Sequence, residues 1–207
     1  MPDEGQIEKL PLLFRDDFTR GADHWQATDA AAWQVVDADG ARAYALSKQS
    51  AYKPPHRSPV NISLVRDVFV DDFTLAVRVR STSRDYGHRD LCLFFGYQSP
   101  ARFYYVHFGK QTDDHANQIF IVNDAPRTKI STETTPGTPW DDRWHDLRIV
   151  RSASDGQIDV FFDDPKKPVM RAVDKTFRWG RIGVGSFDDT GEFADVRLYG
   201  RKVKPPS

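Results

Sequence analysis

Alternation of apolar and polar residues with a period of two is the dominant pattern of this sequence. It is clearest in FTLAVRVR (residues 73–80), where one face carries only apolar residues and the other face carries Thr74, Ala76, Arg78 and Arg80. Side chains of a β-strand alternate between the faces of its sheet, so this segment predicts a half-buried antiparallel strand. No segment of helical length repeats apolar residues at the helical spacing. The chain is therefore predicted to be all-β.

Turn signals divide the alternating segments into short strands. Asp39-Gly40 and Asp155-Gly156 each separate two strand-like runs, which predicts two β-hairpins. We expect ten to twelve short strands in a two-sheet antiparallel β-sandwich. The predicted domain covers residues 12–200, with an N-terminal extension at 1–11 and a C-terminal tail at 201–207. The stretch from Thr128 to Trp140 is predicted to be a long loop that overhangs a site.

The run FYYVHFG (residues 103–109) is aromatic on both faces of the strand that it predicts. Period-two alternation places Phe103, Tyr105 and His107 on one face, and the other face carries Tyr104, Val106 and Phe108. An ordinary solvated face would not be aromatic. We therefore expect a second surface that is either covered or bears a ligand.

The composition of the chain limits the kinds of partner that it is expected to bind. The net charge is −1, from 29 basic and 30 acidic side chains, which gives no general attraction to nucleic acid. No run approaches the length of a membrane-spanning helix. The first ten residues lack the basic and apolar regions of a signal peptide, so none is predicted in this chain; an exported protein after processing and a cytoplasmic protein both stay open. Cys92, the only cysteine, lies in an apolar run and is predicted to be buried.

The central motifs GHRDLCLFFGYQ and FYYVHFG, together with LLFRDDF near the start and GRIGVGSFDDTGEFADVRLYG near the end, resemble a known group. It is the concanavalin A-like, or laminin G-like, jelly rolls, especially the family of 3-keto-disaccharide hydrolases and glycoside-hydrolase-16-like domains. The resemblance covers about residues 12–200. It implies a jelly-roll β-sandwich and an association with glycans.

Hydrolases of the concanavalin A-like class carry a strand motif of the form E-x-D-x-x-E that supplies the nucleophile and the acid. The glutamates of this sequence do not have that spacing: they are Glu4, Glu8, Glu133 and Glu192. The sequence therefore excludes retaining hydrolysis by this pair of carboxylates.

Polar residues within the region 87–127 form the candidate site. His107, Tyr105 and His88 have the side-chain types needed for acid–base catalysis. Planar and hydrogen-bonding groups that suit sugar hydroxyls or a uronate are candidates for ligand binding: Arg89, Asp90, Asn117, Asn123 and Arg127. The alternative is structural: Asp113 to Gln118 also read as a polar turn, His107 as a hydrogen-bonded structural histidine, and alternation places Arg89 on the face opposite His88 and Asp90.

Two tryptophans bracket the end of the predicted loop. Trp140 is the candidate for stacking on a sugar, because exposed indoles pack on the flat face of a pyranose, whereas Trp144 is predicted to lie in the core.

Carboxylates near both ends of the predicted sandwich suggest a structural calcium site, with Asp17, Asp189 and Asp195 as its ligands. The DDTGE segment also reads simply as a polar hairpin turn. No organic cofactor is predicted.

Three functions stay open. The first is a module that binds an oligo- or polysaccharide on the sheet built from residues 87–127. The second is an enzyme that cleaves a 3-keto-glycoside or a uronate polymer with His and Tyr. The third is a laminin G-type protein-interaction domain, favoured if that sheet face is filled by loops of the chain itself. The oligomeric state stays open.

Overall fold

Two antiparallel β-sheets make up the computed structural model, which describes residues 10–205. The predicted fold class is confirmed: the chain is an all-β sandwich, and one 3₁₀ turn at Ala30–Ala32 is its single helical element over the described residues. Most of the predicted N-terminal extension, residues 1–9, lies outside the described part, as do residues 206 and 207 of the predicted tail.

The structure contains sixteen strands in residues 10–205, more than the ten to twelve expected. The additional strands are short, and segments of two to five residues carry too little alternation to be recognised. The strands are β1 Leu12–Asp16, β2 Trp25–Ala27, β3 Trp33–Ala38, β4 Ala41–Leu46, β5 Asn61–Val65, β6 Val70–Ser81, β7 Asp90–Ser99, β8 Arg102–Gly109, β9 Gln118–Asn123, β10 Thr128–Lys129, β11 Ser131–Thr134, β12 His145–Arg151, β13 Gln157–Phe162, β14 Pro168–Val173, β15 Arg181–Ser186 and β16 Gly191–Lys202.

Strand order places the chain ends in one sheet and the candidate region in the other. The nine-stranded sheet has the order β11-β14-β13-β12-β6-β16-β4-β3, and β1 pairs with β16. The seven-stranded sheet has the order β10-β9-β8-β7-β15-β5-β2. Both predicted hairpins form, as the pairs β3–β4 and β12–β13. The three strands of the region 87–127 are therefore neighbours in one sheet.

The main core lies between the two sheets and follows the predicted alternation. Phe73, Leu75, Val77 and Val79 of β6 are all buried in it, together with the inward residues of β12 and β13. From the other sheet, Tyr104, Val106 and Phe108 of β8 contribute to the same core. Burial of such side chains stabilises the fold by about 1.5–3 kcal/mol each.

A second apolar cluster covers the opposite face of the seven-stranded sheet. Its members are at most 3% exposed, and they include Phe94, Tyr97, Phe103, Tyr105 and Phe120. The connection between β4 and β5, residues 47–60, helps to close this face. Tyr52 from this connection packs against the cluster.

The segment expected to be a long overhanging loop, Thr128 to Trp140, instead begins with two strands. β10 extends the seven-stranded sheet and β11 extends the nine-stranded sheet, so the segment passes from one sheet edge to the other. The Trp140 side chain then enters the core, where it is 5% exposed and its indole N–H donates to the Phe108 carbonyl at 2.7 Å.

Truncating a side chain should lower the stability of the protein by different amounts on the two faces of β6. We expect Leu75→Ala to lower the free energy of unfolding by about 2–5 kcal/mol, because it leaves a cavity in the main core. Arg78→Ala, on the outer face of the same strand, removes a partly exposed side chain and should cost under about 1 kcal/mol. Urea denaturation of both variants measures the difference. Equal losses would contradict the assignment of the two faces.

Candidate functional site

Side chains from four segments, most of them polar, lie close together at one end of the seven-stranded sheet. β7 begins there with Asp90, β8 brings His107, the turn after β15 brings Phe187 and Asp188, and the segment before β10 brings Arg127. The pairing explains the convergence, because Cys92 of β7 lies opposite both His107 of β8 and Gly185 of β15. We call Asp90, His107, Arg127, Phe187 and Asp188 the rim cluster.

Arg127 lies across the aromatic face of the sheet. Its guanidinium carbon is 4.6 Å from the ring centre of Phe120 and 4.2 Å from that of Phe187, and Nη1 donates a hydrogen bond to the Tyr105 hydroxyl at 2.8 Å. Its backbone N–H donates to the carbonyl of Arg57, in the connection that helps to cover the second cluster. Arg127 therefore fixes that connection and caps Tyr105, whose side chain is fully buried. Burial raises the pKa of the Tyr105 hydroxyl well above its usual value.

His107 is buried and neutral. The backbone N–H of Asn117 points at Nδ1, at 3.3 Å, which assigns the ring proton to Nε2. Burial, assisted by the positive charge of Arg127, lowers the pKa of His107 to about 3. The imidazole is therefore uncharged near neutral pH.

Asp90 is the most deeply buried carboxylate of the rim cluster and is fully inaccessible. It accepts hydrogen bonds from the Phe187 backbone N–H at 2.9 Å, from the Ser186 hydroxyl at 3.2 Å and from the Cys92 thiol at 3.3 Å. Burial, together with the neighbouring carboxylates, raises the pKa of Asp90 to about 7. His107 Nε2 lies 3.8 Å from Asp90 Oδ2, which is too long for a hydrogen bond.

Two further aspartates follow Phe187. Asp189 accepts from the Tyr86 hydroxyl and from the Asp90 backbone N–H, each at 2.8 Å, so it ties the segment before β7 to the turn after β15. The Asp188 side chain reaches solvent, but the residues around it desolvate part of the carboxyl group, and this desolvation and the charge of Asp189 raise its pKa. Carboxylate oxygens of Asp90, Asp188 and Asp189 lie within 4.8 Å of one another.

His88 stands at the solvent edge of this region. Its Nε2 lies 2.9 Å from Asp113 Oδ2, and both side chains are exposed. Asp113 also accepts from the N–H groups of His115 and Ala116, as the polar-turn interpretation expected.

Of the nine residues predicted for catalysis or ligand binding, five meet at the end of this sheet: His88, Asp90, Tyr105, His107 and Arg127. The other four point elsewhere. The Arg89 guanidinium crosses to the nine-stranded sheet, where it donates to Ser81 and to the Asp141 carbonyl. Asn123 ends β9 opposite Arg102, at the far end of the strand from the Gln118–His107 pair.

Asn117 and Trp140 are structural, which corrects both predictions. The Asn117 side chain is fully buried and hydrogen-bonds Thr112, Thr135 and Thr138, so it fastens the segment before Trp140 to the β8–β9 turn. Trp140 lies in the core and presents no face to a sugar. Trp144, which was expected in the core, is only partly buried and lies against the guanidinium groups of Arg78 and Arg80.

The three aspartates predicted to bind calcium do not come together. Asp17 accepts from the backbone N–H and hydroxyl of Thr19, and Asp195 pairs with Arg197. Asp189 lies in the other region, next to Asp90. Among residues 10–205, the one group of three metal-ligating side chains is Asp90, Asp188 and Asp189.

Sequence reasoning missed Phe187 and Tyr86. Phe187 directly follows β15, and an aromatic residue at the exit of a strand is the one signal that the sequence offers. Tyr86 lies in a segment of mixed polarity with no periodic pattern, and nothing in the sequence indicates its bond to Asp189.

Comparison with known proteins identifies structures of the same fold but no protein family. No protein-family model matches the chain, and no curated protein matches its sequence. Similar solved structures include carbohydrate-binding module CBM66 from Bacillus subtilis, with 16% identity over 86% of this chain and 96% of that one, and a TM-score of 0.61.

Two further structures are similar. Domain 4 of the extracellular arabinanase AbnA from Geobacillus stearothermophilus, solved in complex with arabinotriose, shares 11% identity over 95% of both chains, with a TM-score of 0.58. The exoplasmic domain of VIP36, solved with Ca²⁺ and Man3GlcNAc, shares 12% identity over 95% of this chain and 92% of that one, with a TM-score of 0.57. The fold is a lectin-like β-sandwich. No helix in residues 10–205 has the length and apolar character to cross a membrane.

The rim cluster should show opposing pH dependences. The folded-state pKa of Asp90 is raised from 3.8 to about 7, so this group makes stability fall as pH rises from about 4 to 7. The folded-state pKa of His107 is lowered from 6.5 to about 3, so this group makes stability rise as pH rises from about 3 to 6.5. The two trends oppose each other in the wild-type protein.

Single substitutions should separate these trends. Relative to the wild type, Asp90→Asn should become progressively more stable between pH 4 and 6.5, because the opposing trend of Asp90 is removed and that of His107 is left. His107→Gln should become progressively less stable between pH 4 and 7. Urea denaturation at several pH values measures both slopes. Parallel curves for the two variants would contradict the assigned protonation states.

Proposed function

We propose that the chain is a glycan-binding module whose site is the exposed side of the rim cluster. The observation that carries the proposal is the arrangement around Arg127: its guanidinium carbon lies 4.2 Å from the ring centre of the partly exposed Phe187, and the exposed carboxylate of Asp188 follows Phe187 in the chain. Aromatic rings stack on the apolar face of a sugar, and guanidinium and carboxylate groups bond its hydroxyls. A few polar groups around an apolar surface are typical of small-ligand sites.

The similar structures support this proposal through their fold. One is a carbohydrate-binding module, another was solved with arabinotriose, and a third was solved with Man3GlcNAc. At 11–16% identity they do not fix the position of a site or the sugar. The proposed location therefore rests on the geometry of the rim cluster.

Acid–base catalysis by Tyr105 and His107 is the weaker alternative. A histidine with a pKa of about 3 is a poor proton acceptor near neutral pH, and a tyrosine with a raised pKa does not ionise there. Both side chains are also closed off from solvent by the aromatic cluster and Arg127. A substrate could reach them only after Arg127 had moved. Release of sugar from 3-keto-glycosides, or an unsaturated product from uronate polymers, would revive this alternative.

One observation favours a protein-interaction domain as the second candidate function. The centre of the aromatic face is filled by the chain itself, through Tyr52 and Arg127, as expected for the laminin G-type alternative. At the rim, Phe187 is partly exposed and Asp188 is exposed, so a glycan would contact the edge of this face and not its centre. A glycan array with no bound saccharide, neutral or acidic, would favour this second function.

Substitutions on the exposed side of the rim cluster should weaken binding. Phe187→Ala removes the stacking ring and Asp188→Asn removes the exposed charge, and each should raise the dissociation constant by about tenfold, equivalent to about 1.4 kcal/mol. Isothermal titration calorimetry with saccharides selected on the array measures the change. Asp124→Asn, an exposed aspartate near the far end of β9, is the matched control. Unchanged affinity in both rim variants would contradict the proposed location.

Calcium binding stays a proposal, now for Asp90, Asp188 and Asp189. Three carboxylates in close approach are a set of hard oxygen ligands that suits Ca²⁺. Hydrogen bonds to Asp90 and Asp189 from protein donors compete with a cation for the same oxygens. The donor set therefore fits, although part of its capacity is already in use.

A calcium ion at this position should stabilise the fold by mass action. We expect Ca²⁺ to raise the melting temperature of the wild-type protein and the effect to be lost in Asp188→Asn. Differential scanning fluorimetry with Ca²⁺ or a chelator measures the change, and Asp17→Asn is the control from the earlier set of predicted ligands. An increase lost in Asp17→Asn but kept in Asp188→Asn would contradict this assignment, as would no increase in the wild type.

A further inference from the structure

A pocket of about 500 Å³ lies on the outer face of the nine-stranded sheet, on the other sheet from the rim cluster. It crosses the neighbouring strands β16, β6, β12 and β13. The register places Arg197, Ala76, Arg148 and Phe161 in one row across these strands. Ala76 is the small residue between two long arginines, so its methyl group is the floor of the pocket.

A β-bulge in β16 places one wall of this pocket. Ala194 lies opposite Arg78 and Arg197 lies opposite Ala76, so two residues of β16 face the single residue Val77. Regular alternation would turn Asp195 towards the core. Instead Asp195 adopts a left-handed conformation with φ of 44° and Val196 takes the core position. The carboxylate thereby meets the Arg197 guanidinium, with Nε to Oδ1 at 3.0 Å.

The left-handed conformation of a non-glycine residue costs about 1–2 kcal/mol. The bulge also falls where β16 changes partner, since Phe193 pairs with β4 and Val196 with β1. A bulge at such a junction re-aims a side chain, and here it aims a carboxylate at the pocket wall. Asp163, on the opposite side of the pocket, is also left-handed, with φ of 57°.

The lining alternates donors and acceptors and carries little net charge. Three arginines, Arg78, Arg148 and Arg197, face four aspartates, Asp146, Asp163, Asp164 and Asp195. Arg78 Nε is 3.9 Å from Asp146, and the Arg148 guanidinium lies over the Phe161 ring at 4.6 Å. Because the charges nearly cancel, the pocket does not attract an ion of either sign. Neighbouring hydroxyls of a sugar can accept from a guanidinium and donate to the adjacent carboxylate.

We propose that this outer pocket is a second binding site that takes a short segment of a neutral saccharide above Ala76. Its volume lies in the range of small-ligand sites. Arg78 and Arg197 bond the hydroxyl oxygens, and Asp146 and Asp195 accept their protons. This site is separate from the rim cluster, because it lies on the other sheet. Its existence does not depend on whether the rim cluster binds a glycan.

Backbone-amide NMR titration with neutral trisaccharides tests the proposal, using arabinotriose, xylotriose, mannotriose and maltotriose as probes. We expect at least one of them to shift the amides of Ala76, Arg148 and Arg197. Ala76→Phe fills the floor of the pocket and should abolish these shifts, while the remaining amide signals should still show a folded protein. Ala41→Phe, at an exposed position of β4, is the control of equal size and should leave the shifts unchanged.

The two sites are distinguished by Phe187→Ala. Shifts around Ala76 that persist in this variant support the outer pocket even if the rim cluster binds nothing. The proposal is overturned if millimolar trisaccharide leaves the outer-face amides unshifted, or if Ala76→Phe does not change their shifts. It is equally overturned if only sulfated or uronic-acid trisaccharides, tested in parallel, shift these amides, because the ligand would then be an anion.

Discussion

A sheet that is apolar on both faces must be covered on both, and the seven-stranded sheet imposes this requirement on the whole chain. One face of β8 packs into the main core, and the other carries Phe103 and Tyr105 in a second cluster. Left open, that cluster would expose a large aromatic patch, which soluble chains seldom do without a partner. The connection at residues 47–60 and the side chain of Arg127 provide the cover. The function proposed for the chain follows from where this cover ends.

Arg127 joins the cover to the polar groups at the edge. Its guanidinium lies on Phe120 and Phe187, while one N–H donates to the Tyr105 hydroxyl, which would otherwise be buried without a partner. A buried hydroxyl that loses its partner costs about 1–3 kcal/mol. Arg127 is therefore both a structural clamp and the only guanidinium of the rim cluster. This double role is the reason that the binding experiments change Phe187 and Asp188 and leave Arg127 in place.

The sequence was sufficient for the sandwich, and five of the nine residues predicted for a site lie at one end of the seven-stranded sheet. Alternation predicted which residues of β6 and β8 lie on each face of their sheets. It succeeded because the face of a residue in a strand depends only on its position along that strand. Alternation also predicted that the side chains of Arg89 and Asp90 point to opposite faces of the sheet. The errors at Trp140 and Asn117 have one physical origin. A tryptophan or asparagine near a polar segment satisfies its own hydrogen bonds through residues distant in the chain, such as Phe108 and Thr138, and local pattern does not show these partners. Phe187 was missed because its ring contacts Arg127, a residue that is also distant in the chain.

The protonation states of the rim cluster separate binding from acid–base chemistry. An ion pair between His107 and Asp90 would need a close hydrogen bond to offset the cost of burying two charges. The 3.8 Å separation does not supply that bond, and the Asn117 N–H occupies the Nδ1 lone pair that protonation would consume. The pair is therefore more stable as two neutral groups in the interval between their pKa values. The buried groups beneath them hold the partly exposed Phe187 and the exposed Asp188 in place, since the Phe187 backbone N–H donates to Asp90. A site held in place before binding lowers the entropic cost of binding a sugar. Proton transfer would need the opposite: an accessible group whose pKa lies near the working pH.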